Sequence, residues 1–329
     1  MKVKRMFPYG TVRRSRMIDR RLRSLRVVVQ CGTITAAAEE LGFTPSALSH
    51  QLRTLSRDLG TPLLEPDGRR VRLTAAGRSL LSRADGLIAH WEDIRADMHQ
   101  ASGHSLGRLR LAGFSTAAAA MLPSVATAAT RAFPRSLVRI IEADPQACFD
   151  MLLAEAVDVA VVVGTTDLPP TDDPRFDQHP LFEDALDLLV PMGHPLADQE
   201  SVHLSDAAEE EWIMDRPGSA HHHLVSTACA AAGFNPRQAH EAVEWDTGAA
   251  LVAAGFGVAL VPRLARIPGG DETVRVRLSG DPSPARHVRT SVRSGTAGQP
   301  EIALALRELG IAAARVAAVP GEREDPGAR

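Results

Sequence analysis

Hydrophobic residues recur at helical spacing in three short segments near the start of the chain. The first, 18–30, carries an apolar set that predicts one buried helical face: Leu22, Leu25, Val28 and Val29. In the second, TITAAAEELG, Thr33 or Thr35 caps the helix and Gly42 ends it. The third, 45–59, starts at Thr44 and Pro45, and its leucines predict one buried stripe: Leu48, Leu52, Leu55 and Leu59.

The opposite side of segment 45–59 is polar. It carries short hydrogen-bonding and cationic side chains: Ser46, Ser49, His50, Arg53 and Arg57. Any surface helix is polar outside, but these groups also suit base edges and phosphates. The GFTP turn joins this helix to the preceding one, and the pair predicts a helix-turn-helix.

A basic hairpin follows the helix pair. The run LLEPDGRRVRLTAAG predicts two short strands joined by a Pro-Asp-Gly turn, with Arg69 and Arg70 at the tip. Such a tip suits the narrow, electronegative minor groove or the phosphates beside it. The helix pair and the hairpin together predict a winged helix-turn-helix that binds double-stranded DNA.

Residues 75–101 predict one long helix. Its apolar positions keep the spacing of four and three residues that is typical of a coiled-coil seam: Leu80, Ala84, Leu87, Trp91, Ile94 and Met98. We interpret the seam as a dimer interface, with a solitary helix packed on its own domain as the alternative. The sequence ASGHSLG predicts a linker after it.

From Leu106 onward, short apolar runs alternate with Ala-rich stretches. The runs predict seven strands: RLRLAG, SLVRIIEA, VDVAVVV, ALDLLVP, EWIMD, AHEAVEW and GVALVP. The Ala-rich stretches predict helices at about 116–131, 146–155, 219–232 and 247–254. This alternation predicts parallel sheets, whose ligands bind outside the carboxyl ends of strands and at helix N-termini.

Charge is distributed unevenly along the chain. Residues 1–80 carry 16 Arg and Lys against 6 Asp and Glu, although the whole 329-residue chain has a net charge of −3. The asymmetry indicates an N-terminal module for a polyanion. We expect residues 1–16 to be a disordered basic extension, with either Met1 or Met17 as the functional start.

The chain lacks the features of an exported or membrane protein. No stretch predicts a secretory signal or a membrane span. Three scattered cysteines favour reduced thiols in the cytoplasm, with a redox switch at Cys31 or Cys229 left open.

No segment predicts catalysis, a metal site or a cofactor. Consecutive helical residues point about 100° apart, so His221, His222 and His223 do not converge on one ion. They favour a solvated helix start, and an anion facing one of them beside Ser219 is the alternative. GFSTA lacks the final Gly of a nucleophile elbow, and GFGVAL precedes a strand, whereas a dinucleotide loop follows one.

These segments resemble the LysR-type transcriptional regulators. The resemblance lies in GTITAAAEELGFTPSALSHQLRTLSRDLGTPLLE and RRVRLTAAG, and it continues in PMGHPLA and VAAGFGVALVPRLA. It implies a winged helix-turn-helix at 17–74, a linker and dimerisation helix at 75–103, and an α/β effector domain at 106–318 like periplasmic solute-binding proteins. Subdomain I would span about 106–183 and 286–318, subdomain II about 184–285, and 319–329 would be a disordered tail.

The resemblance also implies partners and DNA-binding residues. A cytoplasmic bacterial homodimer, or more commonly a tetramer, would bind an interrupted dyad near a promoter, with RNA polymerase as a further partner. The base-contacting serine falls on Ser49, and His50 stands where Arg or Lys is usual. Pro45-Ser46 replaces the usual Gln-Pro, and Leu64-Glu65-Pro66 replaces Phe-Glu-Arg, which removes one cation. The DNA-binding residues are Thr33, Thr35, Pro45, Ser46, Ser49, His50, Arg53, Arg69 and Arg70.

A small molecule, often a carboxylate, would bind between the two subdomains. The matching positions are Ser115, Thr116, Asp144, Pro145, Gly164, Asp215, Ser219, His221, Asp246 and Thr247. Because Asp144 and Asp215 repel a carboxylate, we expect the effector also to carry an amine or hydroxyls. The alternatives are a solute-binding module, an enzyme, and a regulator that has lost its effector.

Overall fold

The computed structural model describes residues 19–68, 70–102, 107–165, 167–267, 272–280 and 283–318. They separate into two units, the first ending at Glu92 and the second starting at Asp93. The predicted extension 1–16, Arg69 and the predicted tail 319–329 lie outside the described residues. Within the described ranges, every helix falls short of the length or the apolar character that a membrane span needs.

Three short helices, a hairpin and the start of a long helix make up the first unit. Their bounds are α1 Arg20–Cys31, α2 Ile34–Leu41, α3 Pro45–Asp58, β1 Leu64–Asp67, β2 Arg70–Leu73 and α4 Ala75–Ser102. Each of the first three helices starts at a side chain that accepts a hydrogen bond from a free backbone N–H, and these caps are Asp19, Thr33 and Thr44. The predicted helix-turn-helix is confirmed, with Thr33 and not Thr35 as the cap of α2.

Two apolar residues of the first unit lie elsewhere than predicted. Val29 is 37% exposed, and Val27 joins the core instead at 1%. Val27 is buried because α1 contacts α2, α3 and β2, which together cover more of the helix than one stripe. Leu59 is 48% exposed because α3 ends at Asp58 and the chain leaves the helix axis at its C-cap.

The predicted hairpin is present, but its turn is shorter than predicted. Pro66 pairs with Val71 and Asp67 with Arg70, so the Pro-Asp of the expected turn belongs to β1. Proline fits this two-stranded hairpin because an edge strand tolerates a missing N–H. The backbone N–H of Val71 donates to the carbonyl of Gly32 at 3.0 Å, which ties the hairpin to the end of α1.

The second unit is a mixed α/β structure. Its strands are β3 Arg108–Gly113, β4 Leu137–Glu142, β5 Val159–Val163, β6 Phe176–Pro191, β7 Ser201–His203, β8 Glu211–Met214, β9 Arg237–Glu241, β10 Ala259–Pro262, β11 Thr273–Ser279 and β12 Ala285–Arg293. Its helices are α5 Ser115–Ala120, α6 Leu122–Ala132, α7 Pro145–Leu153, α8 Ala220–Ala231, α9 Trp245–Ala253 and α10 Pro300–Ala318, and a short 3-10 helix covers Leu204–Ala207.

Two long strands divide this unit into two lobes. β6 pairs with β12 over 176–185 and then with β10 and β11 over 186–191. We call the part built on β3, β4 and β5 the first lobe, and the part built on β7 to β11 the second lobe. The chain therefore passes between the lobes along β6 and β12, and a group on either strand can act in both lobes.

The predicted parallel sheets are only partly correct. β3 pairs in parallel with β4 and β5, β11 with β7, and β8 with β9. β12 and β6, in contrast, pair antiparallel with their neighbours. The sheet is mixed because the crossing strands return through it in the opposite direction.

Several strand predictions need correction. The expected strand AHEAVEW ends at Glu241, and Trp245 opens α9. β6 begins nine residues before the predicted ALDLLVP, and β7, β11 and β12 were not predicted. Charged residues interrupt the apolar alternation of β11 and β12, TVRVRLS and ARHVRTSVR, so neither gives a simple hydrophobic run.

Candidate nucleic-acid interface and effector site

The outward side of α3 is polar and open. Ser46, His50, Arg53 and Arg57 are exposed, and Ser49 is half-buried. Arg57 is steadied by donating to the hydroxyl of Thr54 at 3.1 Å. Among the described residues, neither His50 nor Arg53 has a side-chain hydrogen bond or an ion pair. Their hydrogen-bonding capacity is therefore available to a partner.

The inward side of α3 fixes its orientation. Leu48, Leu52 and Leu55 are 0%, 4% and 3% exposed and pack with α1 and α2. Burying three leucines stabilises the unit by about 1.5–3 kcal/mol each. The helix thus presents one constant face to solvent, as a recognition helix requires.

Other predicted DNA-binding residues lie around α3. Thr33 is half-buried and its hydroxyl is used as the cap of α2, while Thr35 and Pro45 are exposed. Arg70 is exposed on β2, and Arg72 beside it is paired with Glu65 at 3.0 Å. The Arg70 side chain is therefore more available to contact DNA than the Arg72 side chain, which is held by Glu65.

The predicted seam on α4 divides into two parts. Leu80 packs against the core of the first unit and Ala84 is 4% exposed, so these two residues are covered within their own chain. Leu87, Ile94 and Met98 are 58%, 36% and 62% exposed, and Trp91 is half-buried. The uncovered apolar surface is thus the later part of the seam.

The first lobe holds five of the predicted effector residues. Ser115 is exposed at the start of α5, while Thr116 is 6% exposed. Asp144 caps α7 by accepting from the N–H of Ala147 at 2.9 Å, with Pro145 as the first helical residue. The Arg289 side chain packs directly on Gly164, so any side chain there would displace the guanidinium.

The second lobe holds the other five. Ser219 caps α8 by accepting from the N–H of His222 at 3.0 Å. Asp215 is half-buried and accepts from the N–H of Arg216, while Asp246 and Thr247 are exposed in the first turn of α9.

His221 is the most constrained of these residues. Its Nε2 lies 3.1 Å from the carbonyl oxygen of Leu260, and its ring meets that of Trp245 edge-on at 4.9 Å. Burial, and next the charge of Arg286, lower the pKa of His221 from 6.5 to about 4. At neutral pH the imidazole is therefore uncharged.

Arg286, which the sequence analysis missed, brings predicted residues together. It lies on β12 and is 9% exposed, and its Nη2 donates to the Thr116 hydroxyl at 3.0 Å. Its Nε donates to Asp184 on β6 at 3.1 Å, and its guanidinium lies 5.1 Å from the ring centre of Phe114. We call Phe114, Thr116, Asp184, His221 and Arg286 the Arg286 cluster.

The structure does not connect every predicted effector residue to this cluster. Thr116 contacts Arg286 directly, and Asp215 is near enough to His221 to act on its pKa. The other predicted residues have no such link to Arg286 or His221 among the described contacts. β12 carries three arginines among its nine residues, and nothing in its sequence distinguishes the buried Arg286 from the other two.

The other two histidines of α8 have different surroundings. His222 lies 3.5 Å from the hydroxyl of Ser226, and His223 is exposed. Within the described ranges, no three potential metal-ligating side chains come together.

Two of the three cysteines are poorly suited to redox chemistry. Cys148 and Cys229 are both 0% exposed. Burial raises the pKa of each thiol to about 12, with the nearby Asp144 adding to the effect at Cys148. Cys31 is half-buried in the first unit.

Comparison with known proteins identifies both halves of the chain. The model of the "bacterial regulatory helix-turn-helix protein, lysR family" matches residues 20–78, and that of the "LysR substrate binding domain" matches 102–313. A probable hydrogen peroxide-inducible genes activator of Mycobacterium leprae is 29% identical over 280 residues, or 84% of this chain and 88% of that protein. The probable HTH-type transcriptional regulator LrrA of Synechococcus elongatus is 30% identical over 75% of this chain and 81% of its own.

A solved structure shows the same fold. Full-length OxyR from Pseudomonas aeruginosa superposes with a TM-score of 0.61 at 21% identity, covering 91% of this chain and 95% of that one. The two family models together span both units, and they agree with the exposed recognition helix and the two-lobed second unit. The chain belongs to the LysR family of DNA-binding transcriptional regulators with an effector-binding domain.

Proposed function

We propose that α3 and the hairpin bind an interrupted dyad near a promoter. The observation that carries this proposal is the open face of α3, where His50 and Arg53 are exposed while three leucines hold the helix from behind. Ser49 and His50 contact base edges in the major groove, Arg53 contacts a guanine or a phosphate, and Arg70 contacts the backbone beside the groove.

The later part of the α4 seam supports a homodimer. Leu87, Ile94 and Met98 leave apolar surface in solvent at spacings of seven and four residues, and a second copy of the helix would cover it. A dimer places two recognition helices on two half-sites about one helical turn of DNA apart. Tetramer formation, contact with RNA polymerase and a cytoplasmic location stay predictions from the resemblance.

A small molecule bound between the lobes would control the regulator. Because β6 and β12 join the lobes, a ligand that contacts both favours one arrangement of the lobes over another. The ligand can shift the equilibrium between the two arrangements only by the ratio of its affinities for them. The relative named for hydrogen peroxide raises oxidation as a second candidate input.

The two buried cysteines are poor peroxide sensors, which leaves Cys31 as the remaining candidate thiol for such an input. Because burial raises the pKa of Cys148 and Cys229 to about 12, both thiols are almost entirely protonated at pH 7. Peroxide oxidises the thiolate, so both thiols should stay reduced. Thiol titration of the folded protein after millimolar peroxide should still find Cys148 and Cys229 free, and rapid oxidation of either would contradict this.

A gel shift tests the DNA proposal. The probe is the region upstream of the chain's own gene, and the proteins are wild type, Ser49→Ala, Arg53→Ala and, as a control, Arg131→Ala on the exposed surface of α6. We expect Ser49→Ala and Arg53→Ala to weaken specific binding about tenfold or more, since a base contact contributes about 1–3 kcal/mol. Arg131→Ala should bind as wild type does, and unchanged binding by both α3 variants would refute the assignment.

A further inference from the structure

The Arg286 cluster joins side chains from three parts of the second unit. Phe114 and Thr116 come from the first lobe, and Asp184 and Arg286 come from the two crossing strands. His221 comes from the second lobe: its Nε2 is bonded to the carbonyl of Leu260 on β10, and Asp184 accepts from the N–H of Leu264 just after that strand. Thr116, Asp184 and Arg286 are 6%, 2% and 9% exposed. Polar groups buried to this extent are costly unless each finds a partner, so their remaining hydrogen-bonding capacity is informative.

Arg286 has donors left over. Its Nε and Nη2 both donate to Asp184, and Nη2 also donates to Thr116. Its Nη1 group, with two further N–H donors, has no partner among the described residues. The Thr116 hydroxyl accepts from Arg286 and keeps its own hydrogen to donate. Arg286 and Thr116 together therefore offer N–H and O–H donors to an oxygen acceptor such as a carboxylate.

His221 offers a hydrogen-bond acceptor, whereas Arg286 and Thr116 offer donors. A carbonyl oxygen only accepts, so the contact with Leu260 requires the hydrogen to be on Nε2. In the neutral ring Nδ1 is then an acceptor, and this atom is inaccessible to water and has no hydrogen-bond partner in the described part of the chain. An unpaired buried acceptor is unfavourable, and an N–H or O–H donor reaching it would remove that cost.

The charges around the cluster limit what fits. Asp184 balances Arg286, and it also accepts from the N–H of Leu264 at 3.0 Å. Asp215 lies near His221 and adds a negative charge on that side. A hydroxyl or an ammonium group is favoured next to His221, and a second carboxylate there is disfavoured.

We propose that the effector is a hydroxy- or amino-carboxylate bound by the Arg286 cluster. Its carboxylate accepts hydrogen bonds from Nη1 of Arg286 and from the Thr116 hydroxyl, and its hydroxyl or amino group donates to Nδ1 of His221. This inference rests on the proposed function, in which the second unit binds a small molecule. Because Nδ1 is sealed from water in this structure, the ligand reaches it only when neighbouring side chains move, which links binding to the arrangement of the lobes.

Matched acids test the ligand class on the wild-type full chain. Each of four sets contains a hydroxy acid, the matching amino acid and the unsubstituted acid. The sets are lactate, alanine and propionate; malate, aspartate and succinate; 2-hydroxyglutarate, glutamate and glutarate; and salicylate, anthranilate and benzoate. Within at least one set, we expect the hydroxy or amino acid to raise the melting temperature and to bind about tenfold more tightly than the unsubstituted acid, because it alone satisfies His221. Equal binding within every set, or no shift with any probe, would overturn the proposal.

Two variants on α8 test the role of His221. His221→Phe keeps a ring against Trp245 but removes Nδ1, and His223→Phe changes an exposed histidine of the same helix. We expect His221→Phe to bind the substituted acid about tenfold more weakly and to lose the preference over its unsubstituted partner, while His223→Phe keeps both. A preference that survives in His221→Phe would refute the role of His221.

Circular dichroism checks that each protein folds, and a gel shift checks that it binds DNA. If His221→Phe does not fold, the comparison of matched acids on wild type still decides the proposal. If wild type binds DNA specifically but responds to none of the acids, the ligand class is wrong and the DNA-binding function stands. If wild type does not bind DNA, the proposed function itself fails.

Discussion

The face of α3 and the Arg286 cluster are the two candidate sites of this regulator, and they are built in opposite ways. The α3 face comes from one helix, and its His50 and Arg53 stand in solvent without partners among the described residues. The Arg286 cluster comes from positions between 114 and 286 and is mostly buried, with its charges paired to each other.

This difference fits the two kinds of partner proposed for these sites. DNA is large and cannot enter a protein, so its contacts must project from a surface that a buried stripe holds in place. A small molecule can be enclosed, so its contacts come from several elements and depend on each other for stability. Removing a polar group from the outward face of α3 should therefore alter DNA binding alone, whereas removing a charged group from the Arg286 cluster should also lower the stability of the fold.

The largest expected effect is on the buried ion pair. Asp184→Ala leaves Arg286 buried without its counter-charge and should lower the free energy of unfolding of the second unit by about 3–5 kcal/mol. Urea denaturation followed by tryptophan fluorescence would measure this, since Trp212 and Trp245 lie in that unit. The double variant Asp184→Leu/Arg286→Met should recover most of the loss, and a stable Asp184→Ala single variant would show that the pair is not buried as described.

The next effect distinguishes a leucine inside α3 from one just beyond its end. Leu48→Ala removes a side chain that is 0% exposed and should lower the free energy of unfolding of the first unit by about 2–5 kcal/mol. Leu59→Ala, at 48% exposure, should change it by less than about 0.5 kcal/mol. Chemical denaturation followed by circular dichroism compares them, and equal losses would contradict the boundary of α3 at Asp58.

A smaller effect is expected from pH. The pKa of His221 is about 4 in the folded protein and 6.5 in the unfolded chain, so the unfolded state binds more protons between these values. Stability is then complete above about pH 6.5 and falls as the pH drops towards 4, by up to about 1.4 kcal/mol per unit. Denaturation at pH 7 and pH 5 should show a steeper loss in wild type than in His221→Gln, with His223→Gln as the control. The same slope in His221→Gln would mean that other groups cause it.

Local pattern was sufficient for the first unit. The spacing of Leu48, Leu52 and Leu55 predicted α3 and its exposed face, because a helix repeats within a few residues. The errors lie at element ends and at crowded surfaces: Leu59 falls just past the last turn, and Val27 is buried because α1 touches three neighbours. Neither fact can be read from spacing alone.

The effector site was only partly predictable. The resemblance pointed to Thr116 and His221, but nothing in the spacing pointed to Arg286, which lies 170 residues from its hydrogen-bond partner Thr116. Pairing across such a separation depends on the sheet order, and the antiparallel crossing strands were not predicted. β6 and β12 each carry several charged residues, so the pairing of Asp184 with Arg286 could not be picked out from the sequence.

The central claim is that the outward face of α3 reads base edges, and selection from randomised DNA tests it most directly. Wild type, Ser49→Ala, Arg53→Ala and the control Arg131→Ala would each be used to recover preferred sites. We predict that at least one α3 variant loses preference at a base position related by the dyad in both half-sites, while Arg131→Ala keeps the wild-type sequence. An identical preferred sequence for all four proteins would contradict the account.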